Sequence, residues 1–318
     1  MNIEQATHTA DRLVGELQKV IVGQDAVLQE MVVAVLAGGH ALLEGVPGTA
    51  KTLMARTLAH IAGVSFRRIQ FTPDLMPSDI LGVSIYHAPT GDFAFRAGPI
   101  FADIVLADEI NRAPAKTQSA LLEAMEERQA TVDGVPHPMS PVFSVFATQN
   151  PVEFEGTYPL PEAQVDRFLL KIVVGYPAED VEATILDRVE AGFDSSDLKT
   201  AGLEVVLDPA GLAELRAVVR GVRVEEMVRR YATQIVRATR TLQQVSLGAS
   251  PRAAVMLMLA AKARAVVAGR DFVTPDDVKA MAAPVLRHRL MLLPEFEVEG
   301  RTADDCIREL LQGIKVPR

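Results

Sequence analysis

Short apolar segments alternate with amphipathic segments through the first half of this sequence. The apolar segments lie at about 41–45, 66–72, 103–108, 143–148 and 168–174. Strands that alternate with helices in this way are typical of a mostly parallel sheet covered by helices on both faces. The sequence therefore predicts an α/β fold in which a five-stranded sheet forms the middle layer of an αβα sandwich.

A smaller second domain is predicted after residue 176. Apolar residues recur there at helical spacing in 208–220, 225–242, 251–268, 275–288 and 302–313. Ser250 and Thr274 each precede a proline, and we expect both hydroxyls to cap the helices that follow. The predicted division is a sheet domain at 1–176 and an all-helical domain at 177–318, and the chain is long enough to form a core in each.

Two insertions interrupt the alternation of strands and helices. The segments at about 84–98 and 130–141 each resemble a β-hairpin, with Thr-Gly-Asp and Asp-Gly as the turn residues. We expect both hairpins to project from the sheet domain. Plain connecting loops are the alternative interpretation, although structured insertions of this length are often functional.

A glycine-rich segment, "GVPGTAKT", joins the first predicted strand to a helix. It differs by one residue from the phosphate-binding pattern G-x-x-x-x-G-K-[ST], because Ala50 replaces the second glycine. We expect Lys51 to reach the β- and γ-phosphates of a nucleotide and Thr52 to bind Mg²⁺. The alanine is tolerable if its backbone is near helical angles, and a glycine-rich turn without ligand is the alternative. The predicted nucleotide contacts here are Gly45, Val46, Pro47, Gly48, Thr49, Ala50, Lys51, Thr52 and Leu53.

Polar residues end two later strands. Asp108 and Glu109 follow the apolar run "IVLA", where a magnesium-holding carboxylate and a water-activating carboxylate are expected side by side. If both are still in the strand, their side chains point in opposite directions and serve different roles. Asn150 ends the next strand and is placed to orient a water molecule. The alternatives are a pair of solvated acids and an Asn-Pro turn.

Composition limits the classes of site and partner. The sequence has one cysteine, Cys306, which excludes an internal disulfide, and its six histidines show no metal-binding spacing. Residues 1–176 carry 12 Lys and Arg against 20 Asp and Glu, and residues 177–318 carry 20 against 21. Neither domain has the basic composition of a general nucleic-acid binder, so we do not expect nucleic acid as a partner, although a basic channel in an oligomer is compatible with these numbers.

The longest apolar runs do not predict a membrane protein. The run at 31–43 contains glycines and a histidine, and the run at 253–268 contains Lys262 and Arg264. The N-terminal segment combines acidic residues with helical periodicity, unlike the basic start and apolar block of a signal peptide. We expect no membrane span and a cytoplasmic location.

Five motifs in this order resemble the MoxR family of AAA+ ATPases, in the helix-2-insert clade. They are "GVPGTAKT", "LADEINRAP", "FATQNP", "LPEAQVDRFL" and "GASPRA", and the resemblance covers nearly the whole chain. The ordered set is far more specific than any single motif. The resemblance implies a P-loop core and a helical lid. The two insertions fall at the positions where proteins of that clade carry insertions.

The resemblance also implies roles for individual residues. Glu109 matches the catalytic base, Asn150 matches sensor 1 and Arg252 matches sensor 2. Arg167 matches the arginine that is presented to the nucleotide of the neighbouring subunit, with Arg112 as the rival. The remaining implied roles are phosphate binding for Lys51, magnesium binding for Thr52 and Asp108, and adenine contacts for Val22, Gly23 and Gln24. Alternatively, Arg167 simply pairs with Glu162 or Asp166 on the protein surface.

The function implied by the resemblance is Mg²⁺-dependent ATP hydrolysis that drives chaperone-like remodelling of a client protein. The implied assembly is a homo-oligomer, expected to be a hexameric ring, that works with a von Willebrand factor A domain protein. Three alternatives stay open: a magnesium-chelatase-type motor subunit, an ATP-dependent scaffold with little turnover, and a DNA- or RNA-remodelling ATPase. The intact Glu109 argues against the scaffold, and the acidic first domain argues against the nucleic-acid remodeller.

Overall fold

The computed structural model describes residues 1–89, 91–151 and 156–317. The strands are β1 (Ala41–Glu44), β2 (Phe66–Gln70), β3 (Gly82–His87), β4 (Asp92–Ala97), β5 (Ile104–Asp108), β6 (Gln129–Val132), β7 (Val135–Pro138), β8 (Ser144–Gln149), β9 (Leu170–Val173), β10 (Val245–Leu247) and β11 (Met291–Leu292). The α-helices are α1 (Ile3–Val20), α2 (Asp25–Leu36), α3 (Lys51–Ile61), α4 (Pro77–Leu81), α5 (Ala115–Glu127), α6 (Glu162–Val165), α7 (Glu179–Glu190), α8 (Pro209–Gly221), α9 (Glu226–Ala238), α10 (Pro251–Val267), α11 (Pro275–Leu286), α12 (Pro294–Val298) and α13 (Ala303–Gly313). Of the helices in these described residues, none is long and apolar enough to cross a lipid bilayer.

Five parallel strands form the central sheet, in the order β2-β5-β8-β1-β9. They are the five strands that the sequence predicts, with ends shifted by at most two residues. Every residue of β5 is buried, which is why this strand appears in the sequence as a continuous apolar run. The predicted αβα fold is confirmed.

Successive residues of β1 face opposite sides of the sheet and lie in different hydrophobic cores. Leu43 lies in one core with Leu28 of α2 and Met54 of α3. Leu42 lies in the other core with Leu121 and Met125 of α5. This alternation fixes the register of the strand, because a shift by one residue would exchange the two faces.

The later part of the chain is helical and packs against the sheet domain. Helix α10 contacts α1 and α2, and its Leu257 belongs to the same core as Leu28. The elements there that were not predicted are the helices α7 and α12 and the short antiparallel pair of β10 and β11, so this part is not all-helical. The domain boundary at residue 176 stays a prediction.

The two predicted helix caps behave differently. Thr274 forms a reciprocal capping box with Asp277 at the start of α11, as expected. The prediction for Ser250 was wrong, because its side chain makes no capping hydrogen bond at the start of α10. The hydroxyl instead donates to the Asp166 carboxylate at 3.2 Å, a charge-assisted hydrogen bond that orients the side chain.

Both insertions contain an antiparallel strand pair, β3 with β4 and β6 with β7. The predicted turn residue Thr90 lies outside the described residues. The two hairpins touch each other, because the ring of Phe95 stacks on His137 with 3.7 Å between ring centroids. Phe93 on β4 is 71% exposed, so the first hairpin presents an aromatic side chain to solvent.

His40, directly before β1, is a buried polar residue that joins β1 to its neighbours. The Val145 backbone N–H donates to Nδ1 at 2.9 Å, and Nε2 lies 3.3 Å from the Met125 carbonyl oxygen. Because Nδ1 accepts a hydrogen bond, the ring proton is on Nε2 and is donated to Met125. Burial, together with the positive charge of Arg128, lowers the pKa of His40 to about 3. The imidazole therefore stays neutral in the folded chain.

This neutral histidine predicts a loss of stability in acid. The unfolded chain takes up a proton at His40 as the pH falls below 6.5, whereas the folded chain excludes it until the pH reaches about 3. His40 alone should therefore cost the fold about 2 kcal/mol by pH 5. In urea titrations, the unfolding free energy of wild type should decrease more than that of His40→Gln between about pH 7.5 and pH 5. The exposed His8, changed to Gln, is the control and should keep the wild-type slope. Equal slopes for wild type and His40→Gln would contradict the assignment.

Candidate functional site

The carboxyl ends of the central strands open into a pocket of about 830 Å³. Lys51 and Thr52 reach it from the start of α3, Asp108 and Glu109 from the end of β5, and Asn150 from the end of β8. The carboxyl edge of a parallel sheet is where ligands bind in open α/β folds. Three segments that are distant in sequence therefore converge on one pocket.

Most of the predicted site residues line this pocket. They are Val22, Gln24, Pro47, Gly48, Thr49, Ala50, Lys51, Thr52, Leu53, Asp108, Glu109 and Asn150. The predicted residues that fall outside the lining are Gly23, Gly45, Val46, Arg167 and Arg252.

The two glycines outside the lining are required by close packing. A Cβ atom on Gly45 would lie 2.2 Å from the carbonyl oxygen of Val174, and one on Gly23 would lie 2.6 Å from the side chain of Val181. Gly23 also has a φ of 70°, in the left-handed region. Both residues shape the walls of the pocket by letting neighbouring segments approach.

Lys51 is the first residue of α3 and folds back over the glycine-rich loop. Its Nζ donates to the carbonyl oxygens of Gly45 and Val46, each at 2.7 Å, and lies 3.3 Å from Thr49 Oγ1. Burial lowers the pKa of Lys51, while the carboxylates of Asp108 and Glu109 oppose that change. The amides of the first turn of α3 and this ammonium group together form a cationic cradle suited to phosphate.

Ala50 departs from the expected backbone conformation. A tolerated alanine was expected to have angles near helical values, whereas φ is 61° and ψ is 18°, in the left-handed region. Glycine enters this region freely, while an L-residue with a Cβ pays about 1–2 kcal/mol. This conformation explains why the general pattern has glycine at this position. Here the chain adopts the same conformation with alanine.

Asp108, at the end of β5, is buried and receives hydrogen bonds from three directions. Thr148 Oγ1 donates to Oδ1 at 2.6 Å, and Arg68 Nε donates to Oδ2 at 2.9 Å. Thr52 Oγ1 lies 3.4 Å from the same Oδ2. Arg68 was not predicted as a site residue. Only the parallel pairing of β2 with β5 places it beside Asp108, and sequence alone does not reveal that pairing.

Glu109 lies outside the strand, so the expected alternation of side chains does not apply to it. Its φ of 57° and ψ of 50° turn the chain sharply after β5. The carboxylate accepts a hydrogen bond from Gln70 Nε2 at 2.7 Å and pairs with Arg112 Nε at 3.2 Å. The Glu109 backbone N–H donates to Thr148 Oγ1 at 2.8 Å. The two acids thus have different surroundings, one buried and the other at the rim of the pocket.

One wall of the pocket comes from a segment that the sequence analysis did not include. Ile185 and Val189 of α7 line it, followed by Phe193, Asp194 and Ser195. This wall is mainly apolar, as a site for a flat aromatic base requires.

A second apolar surface comes from the segment before α2. Val20, Ile21 and Val22 line the pocket together with Gln24, whose side-chain amide donates to the carbonyl oxygen of Gly175 at 3.0 Å. This contact ties the predicted adenine segment to the chain that enters α7.

Arg167 and Arg252 meet each other away from the pocket, at Glu126 of α5. Arg252 donates to both carboxylate oxygens of Glu126, at 3.1 and 2.6 Å, and Arg167 Nε lies 3.6 Å from Oε2. The hydrogen bonds from Arg252 lower the pKa of Glu126. Arg167 therefore has an ion-pair partner that was not foreseen, whereas Asp166 pairs with Arg289.

Thr52 and Asp108 supply the oxygens expected of a magnesium site. In the part of the chain that the structure describes, no group of three or more His, Cys, Asp and Glu side chains could hold a metal ion. Mg²⁺ bound through one or two protein oxygens and substrate phosphates needs no such group. The residues present fit that mode of binding.

Comparisons with known proteins agree with this geometry. Residues 40–170 match the ATPase family associated with various cellular activities (AAA), and residues 237–310 match the AAA lid domain. The chaperone MoxR1 of Mycobacterium tuberculosis is 44% identical, over 98% of this chain and 83% of that protein. The protein MoxR of Methylorubrum extorquens is 31% identical, over 97% of this chain and 95% of that protein. This chain belongs to the MoxR family of AAA+ ATPases.

Two further similarities extend over nearly the whole of this MoxR-family chain. The uncharacterized protein YeaC of Bacillus subtilis is 49% identical, over 96% of this chain and 94% of that protein. A crystal structure of a protein from Cytophaga hutchinsonii that is assigned as an ATPase superposes with a TM-score of 0.89 at 40% identity, covering 99% of this chain and 98% of that one. The resemblance inferred from five motifs is confirmed, and the chain is an ATPase of this family.

The left-handed Ala50 generates a prediction for this MoxR-family ATPase. Ala50→Gly should leave the unfolding free energy unchanged or raise it by up to about 1 kcal/mol, because relief of the left-handed strain exceeds the added backbone entropy. Ala191, exposed at the end of α7 with a φ of −76°, is the control. Ala191→Gly should lower the unfolding free energy by about 0.5–1 kcal/mol in the same chemical-denaturation assay. An equal loss in both variants would show that Ala50 is not left-handed.

Proposed function

We propose that this pocket hydrolyses ATP with Mg²⁺ and that the energy drives chaperone-like remodelling of a protein client. The observation that carries the proposal is the convergence of Lys51, Thr52, Asp108, Glu109 and Asn150 on one pocket from three chain segments. A cationic loop, two oxygen ligands, a carboxylate at the rim and an amide are the parts that phosphoryl transfer requires.

We assign phosphate and metal binding to the residues at the start of α3 and the end of β5. Lys51 binds the β- and γ-phosphates and exchanges its contacts with loop carbonyls for contacts with phosphate oxygens. Thr52 and Asp108 hold Mg²⁺, whose charge offsets the negative charge of the phosphates. Arg68 orients the Asp108 carboxylate through the hydrogen bond from its Nε.

We assign activation of the attacking water to Glu109 and Asn150. Glu109 lies at the pocket rim, where its carboxylate is oriented by Gln70 and can accept a proton. Asn150 is buried in the pocket lining and can orient the same water without adding charge. Asp108, which is held by its three donors, is assigned to metal binding and not to activation of the water.

Arg167 is assigned to the nucleotide of a neighbouring subunit, and Arg252, at the start of a lid helix, is assigned the sensor-2 role. Both lie outside the lining of their own pocket and are bound to Glu126. A guanidinium donated across an interface accounts for about 10³–10⁵ in rate in related nucleotide hydrolases. Arg112, the rival, is paired with the catalytic carboxylate of its own subunit, which favours Arg167 for the bridging role. The proposed assembly is a homo-oligomeric ring, expected to be hexameric.

The biological role is proposed from the family. One relative is named a chaperone, which supports remodelling of a protein client. A von Willebrand factor A domain protein is the partner that the family resemblance implies. The exposed aromatic tip of the first hairpin, with Phe93, is a surface that can contact a partner or client.

Two substitutions separate binding from hydrolysis. Lys51→Ala should abolish saturable binding of a fluorescent ATP analogue with Mg²⁺, because the cradle loses its ammonium group. Glu109→Gln should bind the analogue like wild type, while kcat for phosphate release falls about 10²- to 10⁴-fold through loss of the general base. Glu123→Gln on α5 removes an exposed carboxylate and is the control, with wild-type binding and turnover expected. Phosphate release by Glu109→Gln at the wild-type rate would refute the assigned mechanism.

A further inference from the structure

Arg289, three residues after the end of α11, is a buried cation. Its side chain is only 2% exposed. Burial lowers the pKa of Arg289, and the carboxylate of Asp166 opposes that change. A buried guanidinium is stable only when its donors are satisfied and its charge is paired, so its contacts show what it holds in place.

The contacts of Arg289 bracket Arg167. Nε donates to Asp166 Oδ1 at 2.6 Å. Nη2 donates to the backbone carbonyls of Asp166 at 2.9 Å and Phe168 at 2.7 Å. The three N–H groups on these two nitrogens are thus all used on the residues directly before and after Arg167.

The remaining nitrogen anchors the same loop to α11. Nη1 lies 3.4 Å from the carbonyl oxygen of Leu169 and also contacts the carbonyl oxygen of Val285 and the ring of His288. One planar guanidinium therefore joins the end of a lid helix to the backbone of the loop that precedes β9.

A second lid helix holds this loop from the other side. Ser250, at the start of α10, donates to Asp166 Oδ2, so that the Asp166 carboxylate connects α10 with α11. Arg252, two residues later, binds Glu126, which also pairs with Arg167. The backbone and the side chain of Arg167 are both fixed by contacts that lead to the lid.

We propose that Arg289 is a positioning residue for hydrolysis, which fixes the loop at 166–168 so that Arg167 is presented to the pocket of the neighbouring subunit. The inference rests on the proposed role of Arg167. It adds that the lid of each subunit sets the position of the arginine that this subunit donates.

The contacts of the nearby Arg287 differ, so contact with the residues on both sides of Arg167 is particular to Arg289. Arg287 lies at the same helix end and is also partly buried, but it pairs with Asp304 at 2.9 Å and donates to the carbonyl of Lys171 at 3.0 Å. It stabilises the lid against β9 without contacting the residues beside Arg167. Arg287→Lys is therefore the matched control for Arg289→Lys.

Steady-state ATPase kinetics of the full chain give the first test. Arg289→Lys keeps the charge but loses the fork that spans two carbonyls and a carboxylate. We expect kcat to fall about 10- to 100-fold, the cost of a displacement of about 1 Å. KM should stay within about threefold, because the variant's own pocket is untouched. Arg287→Lys should keep both constants. A raised KM with unchanged kcat would overturn the inference.

Subunit mixing distinguishes positioning from a general loss of structure. Arg289→Lys subunits keep an intact pocket, and Glu109→Gln subunits keep a correctly placed Arg167. Mixed assemblies should release phosphate faster than the sum of the two variants assayed separately, because each defect is supplied by the other subunit. No gain on mixing would mean that Arg289 does not act through the donated arginine.

The same experiment with Arg167→Ala separates the inference from the proposed function. If Arg167→Ala and Glu109→Gln also fail to complement, the donated-arginine role itself is wrong. If they complement and Arg289→Lys does not, only the positioning role is wrong. Should Arg289→Lys fail to fold by circular dichroism, Asp166→Asn takes its place. That variant weakens the same anchor without removing the buried guanidinium, and the same complementation is required of it.

Discussion

The buried carboxylate of Asp108 holds the catalytic end of the molecule together. It receives hydrogen bonds from Thr148 of β8 and Arg68 of β2, and lies next to Thr52 of α3. A buried charge without such donors would cost several kcal/mol. Through its contact with Thr52, this side chain links the start of α3, and with it the phosphate cradle, to strands β2, β5 and β8.

The sheet and the polar end of the pocket could be predicted from sequence because their signals are local. Strands buried on both faces appear as apolar runs, and Asp108 and Asn150 follow such runs directly. The apolar wall could not be predicted in the same way. Ile185 and Phe193 are ordinary apolar residues in their own segments, and only the packing of α7 beside Gly23 brings them to the pocket.

The predictions that were wrong concern residues at which a local sequence preference competes with another interaction or constraint. Ser250 has the sequence of a helix cap, but its hydroxyl is oriented by donating to the Asp166 carboxylate, which is near in space and distant in sequence. Ala50 occupies a left-handed position that propensity would assign to glycine, because the loop and α3 fix its backbone on both sides. For Ser250 a partner distant in sequence outweighs the local preference, and for Ala50 the flanking loop and helix do.

The proposed catalytic groups lie in two places, the pocket and the cluster of Arg167 and Arg252 around Glu126. The charges of the cluster explain how the two arginines are held there. Arg167 and Arg252 would repel each other if left alone, and Glu126 compensates only one of their two charges. The cluster keeps a net positive charge at a partly exposed surface, which suits it to an incoming phosphate. Since Arg252 and the anchor of Arg167 both belong to the lid, a rotation of the lid would move both cations together. The contacts that already join the lid to the loop at 166–168 would then be sufficient to couple the pockets of neighbouring subunits.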